Sequence, residues 1–383
     1  MIFLLVKPCA WCEFQKPGFS FTQNAGWSVE DVTDYEKLYS FQNLYKAHLQ
    51  SRKGKRNKSE VIAFECDLSN KLWQMAKDLK ERKYQLSGYY NFTIYEPKKR
   101  EIYAGFYRDR ILQHCLCDEI LMPLLGKRVI YDNAACQKGK GTHFAINRLS
   151  RFLREYYKIY GNTGYVLKCD VHHYFESISH EILKTMLSKV VKDKDVKKLL
   201  YQLIDSYETS SARGIPLGNQ TSQWFGIYYM NSLDRLIKEE LSIQWYTRYM
   251  DDFVMIYPDK EYLHMVLEKI TRFTEDALGL KLNRKTQVFP LKNGIEYLGF
   301  RFYVSDTGKV IRRMKRASKQ RLKKRILKIE KDYACGKIDA TKVRQSLAGF
   351  NGHLKHGHTY HLQSETLCKI GFQIKQNKKE EKQ

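Results

Sequence analysis

The sequence predicts a mixed α+β fold, and three observations predict it. Stretches with helical hydrophobic spacing alternate through the middle of the chain with short aromatic or β-branched runs. Several of these runs are joined by links short enough for hairpins. Of the 383 residues, 43% are apolar, which supports a real core and excludes a disordered or fibrous chain.

The elements follow in order. Cys9 and Cys12 form a lone CxxC with no second pair at zinc-ribbon spacing, so they are read as packing cysteines. Thr33 and Glu36 have capping-box spacing ahead of a helix to about Gln50. The basic loop of Lys53, Lys55, Arg56 and Lys58 separates it from a second helix through about Arg82. Tyr89 to Tyr95 and Glu101 to Phe106 read as a hairpin with a basic tip at Pro97, Lys98, Lys99 and Arg100. Helices are expected at about Arg110 to Leu125, His143 to Tyr157 and Ser179 to Val190, with a strand at Tyr165 to Val171, a strand pair around Tyr249 to Tyr257 and a short strand at Tyr297 to Phe302. No repeat of 20 to 50 residues is visible, which removes solenoids. Nine of the fourteen residues from Arg312 to Arg325 are Lys or Arg, while Leu322, Ile326, Ile329 and Tyr333 keep helical spacing, so one face packs and the rest is basic. The tail from Lys375 to Gln383 is charged and read as disordered.

Lysine plus arginine number 67 against 42 acidic residues, a net charge of +25. That excess calls for a polyanionic partner, nucleic acid first and an anionic membrane surface second. The apolar opening, Met1 to Val6, is too short for a secretory signal or a membrane span. Nine irregularly spaced cysteines suit reduced thiols, so a cytoplasmic protein is expected.

The chemistry centres on Tyr249, Met250, Asp251 and Asp252, flanked by two strand-like runs that place a pair of carboxylates at a hairpin tip. Aspartate is also an ordinary turn residue. A second strand ends in acid at Asp170, followed by Val171, His172, His173, Tyr174 and Phe175. If the two ends lie side by side, Asp170 and Asp251 supply hard oxygen ligands for a pair of Mg²⁺ ions, the arrangement of two-metal nucleotidyl transfer.

With these blocks the chain resembles the reverse transcriptases, whose palm carries an aspartate, an aromatic residue five positions later and then a YxDD hairpin. Here these are Asp170, Phe175 and Tyr249 to Asp252. The remaining blocks fall in the same order: the basic fingertip before them, Gly214 to Gln223 between them, then Lys285 with Thr286, and Tyr297, Leu298, Gly299 and Phe300. The resemblance implies a right-hand polymerase with an antiparallel palm sheet and a helical thumb. It divides the chain into an N-terminal extension and helical fingers (1–88), a fingers and palm core (89–305), a basic thumb (306–372) and a charged tail (373–383). It implies that Asp170, Asp251 and Asp252, with the backbone of Val171, hold two Mg²⁺ ions. Lys99 and Arg100 would grip the triphosphate, Phe175 would exclude a ribose 2′-hydroxyl, and Lys285 falls where relatives place a lysine near the pyrophosphate. Arg312, Arg313, Lys315, Arg316, Lys319, Arg321 and Arg325 would meet nucleic acid.

Within the family, Leu217, Gly218, Asn219, Gln220, Thr221, Ser222 and Gln223 resemble the reverse transcriptases of diversity-generating retroelements, as does the run Cys136 to Thr142. Most relatives carry Gln where Leu217 stands. An aliphatic side chain there lacks an amide arm to police the nascent base pair, which fits the subgroup's error-prone copying of template adenines. Leu217, Gly218 and Gln223 are therefore expected at the nucleotide. The implied partners are template RNA, an RNA/DNA hybrid, dNTPs and a small basic helical accessory protein, with no membrane. His353, His356, His358 and His361 read as a nucleic-acid face rather than a zinc site, since Lys355 intervenes and no acid or cysteine ligand is near. Retron-like and intron-like enzymes compete with this reading, but the retron thumb's Val-Thr-Gly and the intron proteins' Cys/His nuclease segment are absent. About 80 residues follow the last palm block, too few for a thumb plus an RNase H domain. A catalytically idle RNA-binding assembly protein predicts a damaged acidic triad, and all three aspartates are present.

Overall fold

Apolar periodicity sets most of the helices in the computed structural model, which describes residues 33–95, 99–207 and 211–365. Residues 34–365 of these belong to one compact unit. Cys9, Cys12, Lys98 and the tail lie outside the described residues.

The expected first helix is two, α1 (Asp34–Tyr39) and α2 (Phe41–Ser51), because Ser40 turns extended, with ψ 122°. The start of α1 is held from afar, its Tyr35 N–H donating to the Asp193 carboxylate at 2.9 Å. The second helix also divides, into α3 (Ser59–Glu65) and α4 (Leu68–Lys80), at Asp67. Strands β1 (Tyr89–Ile94) and β2 (Arg100–Gly105) pair antiparallel as the predicted hairpin. One helical path follows through α5 (Tyr107–Leu116), a π turn at Cys117–Leu121 and α6 (Met122–Gly126).

Helix α7 (Thr142–Tyr160) buries Ala145, Ile146, Leu149, Phe152, Leu153 and Tyr156, the stripe a core-facing helix requires. Strand β3 (Tyr165–Asp170) leads into the one-turn α8 (Tyr174–Ser177) and then α9 (His180–Val190), whose N-cap Ser179 accepts from the Ile182 N–H. Helix α10 (Lys194–Asp205) has no counterpart in the expected elements. Its local signal was present, since Asp193 caps it twice and Val196, Leu199, Leu200, Leu203 and Ile204 form its buried face. Helices α11 (Gln220–Tyr229) and α12 (Asn231–Arg235) precede the hairpin β4 (Trp245–Tyr249) and β5 (Asp252–Tyr257). Helix α13 (Lys260–Asp276) and strand β6 (Gln287–Pro290) follow. The central sheet runs β4-β5-β3-β6, antiparallel throughout.

The expected strand Tyr297 to Phe302 is a tight hairpin between β7 (Ile295–Tyr297) and β8 (Phe300–Val304), because Leu298 and Gly299 adopt φ +45° and +88°. Strand β9 (Val310–Met314) completes this second sheet. The basic run is thus not wholly helical: Arg312 and Arg313 belong to β9, which pairs with β8, and only from Arg316 does α14 (Arg316–Ala334) begin. Helix α15 (Ala340–Leu354) is followed by a helical stretch at 360–365, and Leu322, Ile326, Leu354 and Leu362 make a small core there. A larger core joins the helices around β3 and β5, and another packs α7 against both sheets. Among the described residues no helix is long and apolar enough to cross a membrane.

Candidate active site

Strand register brings the acids together. Asp170 ends β3 directly opposite Asp252, the first residue of β5, and the link from β4 to β5 is only Met250 and Asp251. Met250 sits at φ +56°, a left-handed conformation that costs a side-chain-bearing residue about 1–3 kcal/mol. The turn is buttressed from below. Arg248, fully buried, donates to the Met250 carbonyl at 2.8 Å and to the Ile227 carbonyl at 3.0 Å, and pairs with the equally buried Asp234 at 2.5 and 2.7 Å.

A second clamp fixes Asp170. The loop before β6 runs beside it, and Asn283 donates its backbone N–H to the Asp170 carbonyl at 2.7 Å and its side-chain amide to Oδ2 at 3.2 Å. Asn283 Oδ1 also accepts from the Lys285 N–H at 3.1 Å. Asn283 escaped the sequence reading. Its one signal was position, two residues before Lys285 on a segment that had to return to the first acidic strand.

A cavity of about 650 Å³ opens over this point, lined by Lys99, Arg100, Asp170, Val171, Phe175, Leu217, Asp251 and Asn283. The structure therefore gathers here seven of the eleven residues expected from sequence at the metal ions or the nucleotide. Phe175 packs beside Gly226 and Tyr174, with ring centroids 5.5 Å apart in the Tyr174 pair. The Leu217 carbonyl accepts from the Tyr103 N–H at 3.0 Å, which ties the segment to the β1–β2 hairpin. Gly218 does not line this cavity; it lies at φ +117°, where a Cβ would stand 2.9 Å from Ile102 Cγ2. Gln223 is exposed on α11 and lines neither this cavity nor the next. Asp252 and Lys285 face a second, neighbouring cavity of about 760 Å³ that shares Asp170 and includes Lys168, Arg301 and Lys315.

Burial acts on both hairpin acids. Burial pushes the Asp251 carboxyl up to about 6, the charges of Asp170 and Asp252 add to the effect, and its own backbone N–H and Arg100 oppose it. Burial also raises Asp252, against the pull of Lys168. Among the described residues no three His, Cys, Asp or Glu side chains form a closed metal cluster. Mg²⁺ takes one or two carboxylates from protein and completes its shell with water and substrate phosphate. The donors present, the Asp170 and Asp251 carboxylates at one cavity with Val171 beside them, fit it.

The basic residues separate as well. Arg313, Arg316, Lys319, Arg321 and Arg325 are exposed, while Lys315 pairs with Glu296 at 2.7 Å and Arg312 donates to Asn147 at 3.0 Å. The His356 ring lies against His143 of α7, tilted by 33° with centroids 3.5 Å apart, and His358 accepts from the Arg312 N–H at 3.0 Å.

An antiparallel sheet thus presents two carboxylates, one at a strand end and one in a hairpin turn, to a cavity that Lys99 and Arg100 also line. The model of the family "Reverse transcriptase (RNA-dependent DNA polymerase)" matches residues 100–302, more than half of the chain, and the chain belongs to that family. Similar solved structures include telomerase from Candida albicans in complex with a TWJ fragment of telomeric RNA (14% identity, 67% of this chain and 52% of that one, TM-score 0.45). Another is apo telomerase from Candida tropicalis truncated from its C-terminal domain (14% identity, 60% of this chain and 55% of that one, TM-score 0.44). The chain spans about half the length of these. No curated protein matches it.

Proposed function

We propose that this protein is an RNA-directed DNA polymerase that copies a template RNA into cDNA in the cytoplasm. One observation carries the reading: Asp170 and Asp251 meet at a cavity that also holds Phe175, Leu217, Lys99 and Arg100. Asp170, Asp251 and the backbone of Val171, with Asp252 close behind, would hold two Mg²⁺ ions, whose chemistry would be to acidify a primer 3′-hydroxyl and offset the charge of a departing pyrophosphate. Lys99 and Arg100 orient the triphosphate, Arg by a bidentate grip. Phe175 fills the space of a 2′-hydroxyl and selects dNTPs, and Lys285 stands behind Asp170. In this reading residues 1–88 are an N-terminal extension with helical fingers, 89–305 the fingers and palm core, 306–372 the thumb and 373–383 the tail.

The test is primer extension on an RNA template with dNTPs. Asp251→Asn or Asp170→Asn should lower the rate by at least about 10³-fold with an unchanged unfolding midpoint, because an amide ligates a hard cation poorly while the packing is kept. Either variant extending at the parent rate overturns the assignment.

The finer reading is an adenine-mutagenic enzyme of the diversity-generating type, working on its RNA together with a small basic helical accessory protein. Leu217 supports it by presenting an aliphatic side chain to the cavity. Leu217→Gln should then raise fidelity opposite template adenine several-fold, since a tenfold change corresponds to about 1.4 kcal/mol and one neutral hydrogen bond nets about 0.5–1.5 kcal/mol. Sequencing of cDNA copied by parent and variant checks this. A parent that copies adenine as accurately as the other bases, with accessory protein and native RNA present, would favour a retron-like or intron-like enzyme.

A further inference from the structure

Lys168 lies two residues before Asp170 on β3, so the two side chains share one face of the sheet. Its ammonium stands 3.2 Å from Asp252 Oδ1 and donates to Oδ2 at 3.3 Å. It also donates at 2.6 Å to the backbone carbonyl of Glu296, a residue of β7 whose carboxylate is engaged by Lys315. One side chain thus joins the acidic end of the β4–β5 hairpin to a strand of a different sheet. Asp252 faces the second cavity with Lys168, whereas Asp251 faces the first and only Asp170 borders both.

We propose that Lys168 is a positioning residue that holds Asp252 as its own counter-ion and brace to β7, reserving Asp170 and Asp251 as the cation-binding pair. Three carboxylates at one point would otherwise compete for the same cation, and the geometry of the pair would follow the cation rather than the fold. With Lys168 in place, Asp252 carries little free charge toward the first cavity, and the hairpin is tied to β7. The inference rests on the polymerase reading for its consequence in catalysis, but its electrostatic core can be measured without any turnover.

The full chain is compared with Lys168→Met, Lys168→Arg, Asp252→Asn and the Lys168→Met/Asp252→Asn pair. Mn²⁺ binding is followed by electron paramagnetic resonance of the free ion, with no nucleic acid present. Removing the ammonium should tighten Mn²⁺ binding about fivefold, because Asp252 loses its counter-ion and is released as a ligand. Lys168→Arg should stay within about twofold of the parent, and in the Asp252→Asn background Lys168→Met should change binding by no more than about twofold. In primer extension, Lys168→Met should lower kcat about tenfold with the KM for dNTP within about twofold. Unchanged or weakened Mn²⁺ binding in Lys168→Met overturns the proposal, including the case where only the unfolding midpoint falls. If Mn²⁺ binding tightens as expected but the parent extends no primer, the polymerase reading fails and the role of Lys168 stands.

Discussion

His114 shows how one residue ties fold stability to pH. It lies on α5, and burial, then the charges of Lys55 and Arg110, push its imidazole down to about 4. In the unfolded chain histidine titrates near 6.5. Between those values the unfolded state binds more protons, so stability falls as pH drops below about 6.5, and the loss is complete below about 4. His114→Gln should remove roughly 1–3 kcal/mol of that dependence, read as the difference between urea unfolding at pH 7 and at pH 4.5. At the same scale, the acids Asp170, Asp251 and Asp252 were legible because their strands and turn announce themselves locally. Lys168 and Asn283 were not, since each matters through a partner 84 or 113 positions away.

Among the elements, the β4–β5 hairpin depends most on what lies beneath it. Asp234 of α12 accepts from both Arg248 and Tyr246, and Arg248 spans to the Met250 carbonyl. Arg248→Met strands a buried carboxylate and should cost about 3–5 kcal/mol, while Arg248→Met with Asp234→Leu should recover much of it, since an apolar pair of similar volume removes both desolvation costs. Urea unfolding midpoints of the two variants check the ordering. A second element, the β7–β8 turn, lies within Tyr297 to Phe302, which from sequence is expected as one short strand. Two consecutive positive φ angles at Leu298 and Gly299 reverse it instead. Likewise β9 drew Arg312 and Arg313 out of the expected basic helix, because pairing with β8 satisfies backbone groups that composition does not reveal.

For the whole molecule, the net charge of +25 is the main long-range property. Helix α14 buries Leu322 and Ile326 and leaves Arg321 and Arg325 exposed, so those cations face away from the small core. If they meet the phosphates of a template–primer duplex, replacing both with Ala should lower the slope of log affinity against log salt by about 1–2, at roughly 0.7–0.9 per contact. Binding titrations from low to physiological salt measure it, and an unchanged slope would place the two arginines off the nucleic-acid track.

By itself the sequence determined the α+β class, most helix and strand positions, the acidic hairpin and the order of the motif blocks. Such features are written in hydrophobic periods of 2 and 3.6 residues and in turn residues, all of them local signals. Only the tertiary structure decided that Asp170 lies opposite Asp252 and that Asp251 and Asp252 face different cavities. It alone placed Lys168 and Asn283 as the clamps and left Gln223 outside the cavity that Leu217 lines. The physical reason is that a side chain's partner is set by strand register and packing between segments far apart in the chain, which no local period encodes.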